Sequence, residues 1–82
     1  MKNTLNLSEK MNPFFSLEIK KCKEKTSCIV FGVLLIFEYS SERIELHTHA
    51  GKIILKGTRL DLNVFKDGGV EIYGRMEGIC FV

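Results

Sequence analysis

Apolar and polar side chains alternate along most of this chain, and a period of two is the mark of strands that bury one face. The stretch FFSLEIK sets Phe15, Leu17 and Ile19 against Ser16, Glu18 and Lys20. RIELHT sets Ile44, Leu46 and Thr48 against Glu45 and His47, and KIILK adds Ile53 and Leu55 to the apolar set. Leu60, Leu62 and Val64 continue it, then Val70, Ile72 and Met76, and finally Ile79 and Phe81. No window of a dozen residues carries the three-and-four spacing of a helical stripe. CIVFGVLLIFEY breaks the alternation because both of its faces are apolar. Such a segment belongs in the middle of a fold, covered on each side, and Gly32 is placed to bend it or split it in two. Residues 1–13 are polar and broken by Pro13, which predicts a flexible arm ahead of a single β-rich domain over 14–82.

Opposed residues of paired strands share a face, so the pattern also predicts register. With Ala50 and Gly51 as a turn, His49 faces Lys52, Thr48 faces Ile53, Leu46 faces Leu55, and Glu45 faces Lys56. In the next hairpin a three-residue loop of Asp67, Gly68 and Gly69 pairs Val64 with Ile72, Leu62 with Gly74, and Asp61 with Arg75. Such loops commonly end in a glycine at positive φ. Gly57 and Thr58 are read as a tight turn joining Lys56 to Arg59. The predicted architecture is all-β: an antiparallel meander of six to eight short strands forming a small sandwich or a partly open barrel. Ile54, Phe65, Tyr73 and Val82 fall on its outer face, which predicts a partner surface there.

Eighty-two residues make one domain with a thin core, so a partner or self-association helps to complete it. The net charge is +2, yet Lys20, Lys21, Lys23 and Lys25 with Glu24 carry +3 between them, leaving −1 for the rest. That local basic run is a candidate contact for an anion or an anionic membrane face. The longest apolar run, residues 28–37, is half of what a membrane helix requires, so no direct insertion is expected. The first residues lack the features of a secretory signal, and three cysteines at no recognised spacing suit reduced thiols, so a cytoplasmic location is expected.

His47 and His49 are one residue apart on a predicted strand, the spacing by which two imidazoles can meet one metal ion. A zinc site needs a third or fourth ligand. Opposite the histidines the expected register puts Ile54 and Lys52, and Glu45 is the one helper on their face. A small metal-binding domain using His47, His49 and Glu45 or a cysteine is therefore the alternative reading, and no metal ligand, cofactor or catalytic residue is assigned. Cys22, beside the lysines, is the candidate reactive thiol, while Cys28 and Cys80 sit in apolar runs and are expected to be buried. The glycines lack the strand-to-helix setting of a phosphate loop. Aromatic and acidic residues mix on the outer face, which argues against nucleic acid as a partner.

The ordered stretch EYSSERIELHTHAGKIILKGTRLDL followed by VEIYGRMEGICF resembles the YabP/YqfC family of sporulation proteins. The likeness is carried by Tyr39 and Ser40, Ile44 and Leu46, Thr48 and Gly51, Ile53, Leu55 and Gly57, and Leu60 and Leu62. It continues through Ile72, Gly74, Met76, Ile79 and Phe81, covering about residues 36–82. One departure stands out: where the family shows a polar segment before the Tyr-Ser turn, this chain has Gly32, Val33, Leu34 and Leu35. The resemblance implies a small non-catalytic interaction protein of endospore formation. Its implied partner is a second copy of itself or a larger, membrane-embedded sporulation protein, through which it would sit at a membrane. The apolar replacement implies closer association with that partner.

Overall fold

The computed structural model describes residues 5–6, 15–23, 25–65 and 68–82. Every regular element in it is a strand: β1 (Leu5–Asn6), β2 (Ser16–Cys22), β3 (Lys25–Phe31), β4 (Val33–Tyr39), β5 (Arg43–Thr48), β6 (Gly51–Val64) and β7 (Val70–Phe81). They form one antiparallel sheet in the order β1-β4-β5-β6-β7-β3-β2. The expected meander holds from β4 to β7, after which the sheet is completed by β3 and β2. Most of the expected N-terminal arm lies outside the described residues, but Leu5 and Asn6 belong to the sheet, opposite Ile36 and Leu35.

Gly32, at φ 89°, splits the doubly apolar segment into β3 and β4. These two consecutive strands are separated in the sheet by β5, β6 and β7. Nevertheless Cys28 and Val30 of β3 share one buried cluster with Val33 and Ile36 of β4 and Ile44 and Leu46 of β5. The sheet therefore curls until its two halves close on a common core, which Ile53, Leu55, Leu60, Val70 and Ile72 complete. β4 fails to alternate for a local reason. Register shifts between Val33 and Leu35 and between Ile36 and Glu38 insert two extra residues, so Val33, Ile36 and Tyr39 face inward at a spacing of three.

The curl is made by the long β6–β7 hairpin. Residues 51–56 of β6 pair with β5 on one side and with the end of β7 on the other, whereas residues 61–64 meet the start of β7, which also pairs with β3. Between these halves lie two bulges. Lys56 faces Gly78 and Gly57 faces Met76, which leaves Glu77 unopposed; Thr58 faces Arg75 and Asp61 faces Tyr73, so Arg59 and Leu60 share Gly74. The tight turn expected at Gly57 and Thr58 is thus a bulged bend within one continuous strand. Gly57 is needed because a side chain there would run into the Arg75 carbonyl, and at Gly74, φ 132°, one would run into the Arg59 carbonyl.

Both hairpin registers differ from expectation by two residues, an even shift that keeps every side chain on its face. The first turn is His49 and Ala50, not Ala50 and Gly51, and pairs Leu46 with Ile53 and Glu45 with Ile54. Thr48 decides it: its hydroxyl accepts from the Ala50 N–H at 3.0 Å and donates to the Gly51 carbonyl at 2.7 Å. In the second hairpin Val64 pairs with Val70 and Leu62 with Ile72. The loop takes in Phe65, whose N–H donates to the Gly69 carbonyl at 2.6 Å, although Lys66 and Asp67 lie outside the described residues.

Candidate functional site

The corner of the β6–β7 hairpin meets the β2–β3 hairpin in an open groove of about 910 Å³. Five cations line it: Lys21, Lys23 and Lys25 from the β2–β3 hairpin, Arg59 from the β6 bulge and Arg75 from β7. The Thr26 and Thr58 hydroxyls and the Tyr73 ring add polar surface, and Met76, half-buried against the core, reaches its wall. Strand geometry gathers them. Lys21 lies opposite Thr26, which lies opposite Gly74, while Thr58 lies opposite Arg75. Lys20 alternates to the other face, where its Nζ is 3.9 Å from a Glu18 oxygen.

Three of the four lysines singled out in the sequence thus come together with two arginines that the basic run did not include. Arg75 is available because of the register: the expected pairing would have set it against Asp61, but Asp61 faces Tyr73 instead. Asp61 is engaged elsewhere, accepting from the Tyr39 hydroxyl at 2.6 Å and from the Tyr73 hydroxyl at 3.3 Å. The Tyr39 hydroxyl bond holds the Asp61 carboxyl below its usual value, with the Leu62 N–H adding to the effect. Among the described residues no carboxylate forms an ion pair with any of the five groove cations.

The histidines do not make a pair. His49 stands in the turn, exposed, with its N–H donating to the Gly32 carbonyl at 3.1 Å. His47 is half-buried on β5, stacked on Phe37 with ring centroids 4.9 Å apart, and its Nε2 is 2.8 Å from Glu45 Oε2. Arg43 completes a ladder on this face, donating from Nε to Glu38 at 2.9 Å and from Nη2 to Glu45 at 3.3 Å. Glu45 is therefore held by His47 and Arg43; Lys56, its expected partner, faces Arg43. Among the described residues no group of three His, Cys, Asp or Glu is placed to hold a metal ion.

The His47 hydrogen bond keeps the Glu45 carboxyl below its ordinary value of 4.5, burial opposes this, and Arg43 reinforces the lowering. A carboxylate whose folded value is depressed adds stability above its unfolded value and loses that stability as pH falls through the folded one. Glu45→Gln is accordingly expected to lower the urea midpoint at pH 7. The two proteins should converge below pH 4.5, once Glu45 is protonated in both states of the parent. Parallel curves from pH 7 to 3 would show that Glu45 contributes no charge-dependent stability.

The outer apolar residues do not form one face, because the bend divides them. Ile54 and Val82 lie on the half built around β5, with Ile54 between Glu45 and Cys80 in one row. Phe65 lies by Phe31 and Ile29 in a shallow groove at the other half, and Tyr73 lines the basic groove. Cys28 is fully buried, and burial pushes its thiol up to about 11. Cys80, expected inside, is exposed, since the bulge at Glu77 and the edge position of this part of β7 leave its side of the strand uncovered. Cys22 ends β2 opposite Lys25, and its side chain lies outside the described ones.

The free main-chain edge of β7 is the feature the sequence could not show. β3 pairs with β7 over residues 70–74 only, so beyond Gly74 the strand has β6 on one side and no described strand on the other. Lys52 and Val82 exchange two hydrogen bonds, N–H to carbonyl, at 3.2 and 2.9 Å. Antiparallel ladders alternate such pairs with non-bonded ones. Cys80 and Gly78 therefore also point their main-chain groups at β6, while Phe81 and Ile79 point theirs away.

No helix among the described residues is long and apolar enough to cross a membrane. Comparison with protein-family models, curated proteins and solved structures found no match, so the likeness to the YabP/YqfC family rests on the residue pattern alone.

Proposed function

We propose that this protein is a non-catalytic interaction module that pairs with a second copy of itself by strand addition along the free half of β7. The observation that carries this is the outward-facing main chain of Ile79 and Phe81, flanked by Phe81 and Val82 side chains that are 63% and 72% exposed. Edge strands are normally protected by charge or proline. Residues 78–82, GICFV, hold neither. Strand addition satisfies the free donors and acceptors and covers the apolar side chains in one step. A non-catalytic role is supported by the engagement of the half-buried imidazole with Glu45 and Phe37 and by the enclosure of Cys28 in the core. The YabP/YqfC-like pattern supports a setting in endospore formation in the cytoplasm, with a membrane-embedded sporulation protein as the other occupant of the same edge.

Phe81→Pro tests this directly. Proline removes the N–H that faces outward but leaves the β6 ladder intact, an edge setting that proline tolerates. Light scattering across a concentration series should show a dimer for the parent and at least a tenfold weaker association for the variant, with unchanged circular dichroism. A parent that stays monomeric at every concentration removes self-association. If it is then retained by a sporulation membrane protein, and Phe81→Pro is not, the edge stands with a different occupant.

A further inference from the structure

The basic groove lies at the bend of the sheet, where the free part of β7 begins, and asks for a different ligand. Its five cations come from four separate strands and one hairpin turn, yet converge on one concavity of about 910 Å³. Two of them occupy costly backbone. Lys23 has φ 57° and Arg59 has φ 54°, and among the described residues these are the only non-glycine residues at positive φ. Asparagine or glycine adopts that region far more readily than a long side chain does. Strain of this kind collects where a side chain is held for use. At both places the residue present is a cation, and both cations line the same groove.

Lys21, Lys23 and Lys25 alone, on a projecting hairpin, would suit a flat anionic surface. Arg59 and Arg75 change the character of the site, since they bring the β6–β7 corner into the same groove as the hairpin lysines. Arginine forks fit phosphate oxygens two at a time, and the Thr26 and Thr58 hydroxyls can donate to the same group. Glu24 is the one acid between Lys20 and Lys25, so the lining remains strongly positive even with its charge counted. We propose that this groove binds a compact anion carrying at least two phosphoryl groups, clasped between the β2–β3 hairpin lysines and the Arg59–Arg75 corner. The chemistry is shared by a free oligophosphate and by a multiply phosphorylated lipid headgroup. An extended polyanionic strand is disfavoured, because Asp61 lies opposite Tyr73 and Glu71 two residues along from it.

Calorimetric titration of the whole protein with inorganic tripolyphosphate at physiological salt tests this, with orthophosphate as the comparison. Saturable one-to-one binding, at least tenfold tighter for tripolyphosphate, is expected. Arg59→Gly and Lys23→Gly should each weaken it about tenfold while leaving the melting temperature unchanged or raised, because glycine relieves the positive φ. Lys20→Gln, at a lysine that does not line the groove and sits beside Glu18, should bind as the parent does. Vesicles containing a bisphosphorylated phosphoinositide assign the source. Binding that is lost in Arg59→Gly identifies a headgroup, and tripolyphosphate binding without vesicle binding identifies a free anion. The proposal is overturned by absence of saturable heat up to millimolar tripolyphosphate, or by equal weakening in Lys20→Gln. Equal binding to vesicles of singly charged phosphatidylserine, or tighter binding to a single-stranded oligonucleotide, would overturn it as well.

Discussion

Gly57→Ala is expected to destabilise the protein by at least about 3 kcal/mol, a large fraction of the stability of a domain this size. The methyl group would overlap the Arg75 carbonyl oxygen and touch the Leu60 side chain, and the oxygen belongs to a paired strand that cannot retreat without opening the ladder. Gly74→Ala should be as damaging for two reasons together, since its α-carbon faces the Arg59 carbonyl and its φ of 132° lies where side chains are strained. Gly78→Ala supplies the internal comparison. It lies on the same strand with nothing within 4 Å of the added methyl, so its effect should be within about 1 kcal/mol and can be favourable through the unfolded chain. Urea denaturation of the three variants decides the matter. Three similar midpoints would mean that the corner of the hairpin is not closely packed.

Ile44→Ala should cost about 2 to 5 kcal/mol, the usual range for removing a buried branched side chain and leaving a cavity. A domain of this length has a total stability of about 4 to 12 kcal/mol, so the loss is a large fraction of it. Ile44 is completely buried in β5, with core residues of both halves of the sheet in its cluster. Ile19→Ala is the informative contrast. By alternation Ile19 belongs to the same inward set and faces Cys28 across the β2–β3 pair, yet it is 49% exposed because β2 is the last strand of the sheet. Its truncation should cost under about 1 kcal/mol. Thermal unfolding would separate the two by on the order of 10 °C or more. Equal losses would mean that β2 is covered in solution by a surface absent from the monomer.

Most of the inward set was legible because a one-sided core imposes period two on any strand that borders it. Ile44, Leu46, Ile53, Leu55, Leu60, Val70 and Ile72 are all buried where alternation places them. Val64 and Phe81 follow the same parity but are 42% and 63% exposed, because they lie at the ends of the long hairpin, beyond the reach of the opposing half. The segment on either side of Gly32 was harder to read. Its lack of alternation arises in β4 from two bulges, and a bulge leaves no fixed mark in composition.

The candidate sites were legible in unequal parts. The lysine run announced itself, but Arg59 and Arg75 join it only through a bulge and a two-residue register difference. The two histidines looked like a pair because strand parity aligns them, until a Thr48 side chain drew His49 into the turn. Local hydrogen bonds of this size compete with register at every hairpin end.

What the sequence by itself determined is the face on which each strand residue lies, together with an all-β antiparallel architecture, because hydrophobic alternation is a property of neighbours along the chain. The tertiary structure alone decided where the sheet bends, which strand edges stay open and which charges meet. Those outcomes depend on contacts between residues far apart in sequence, such as Gly57 against Arg75 and Gly74 against Arg59, whose close approach is energetically possible only after the long hairpin has formed.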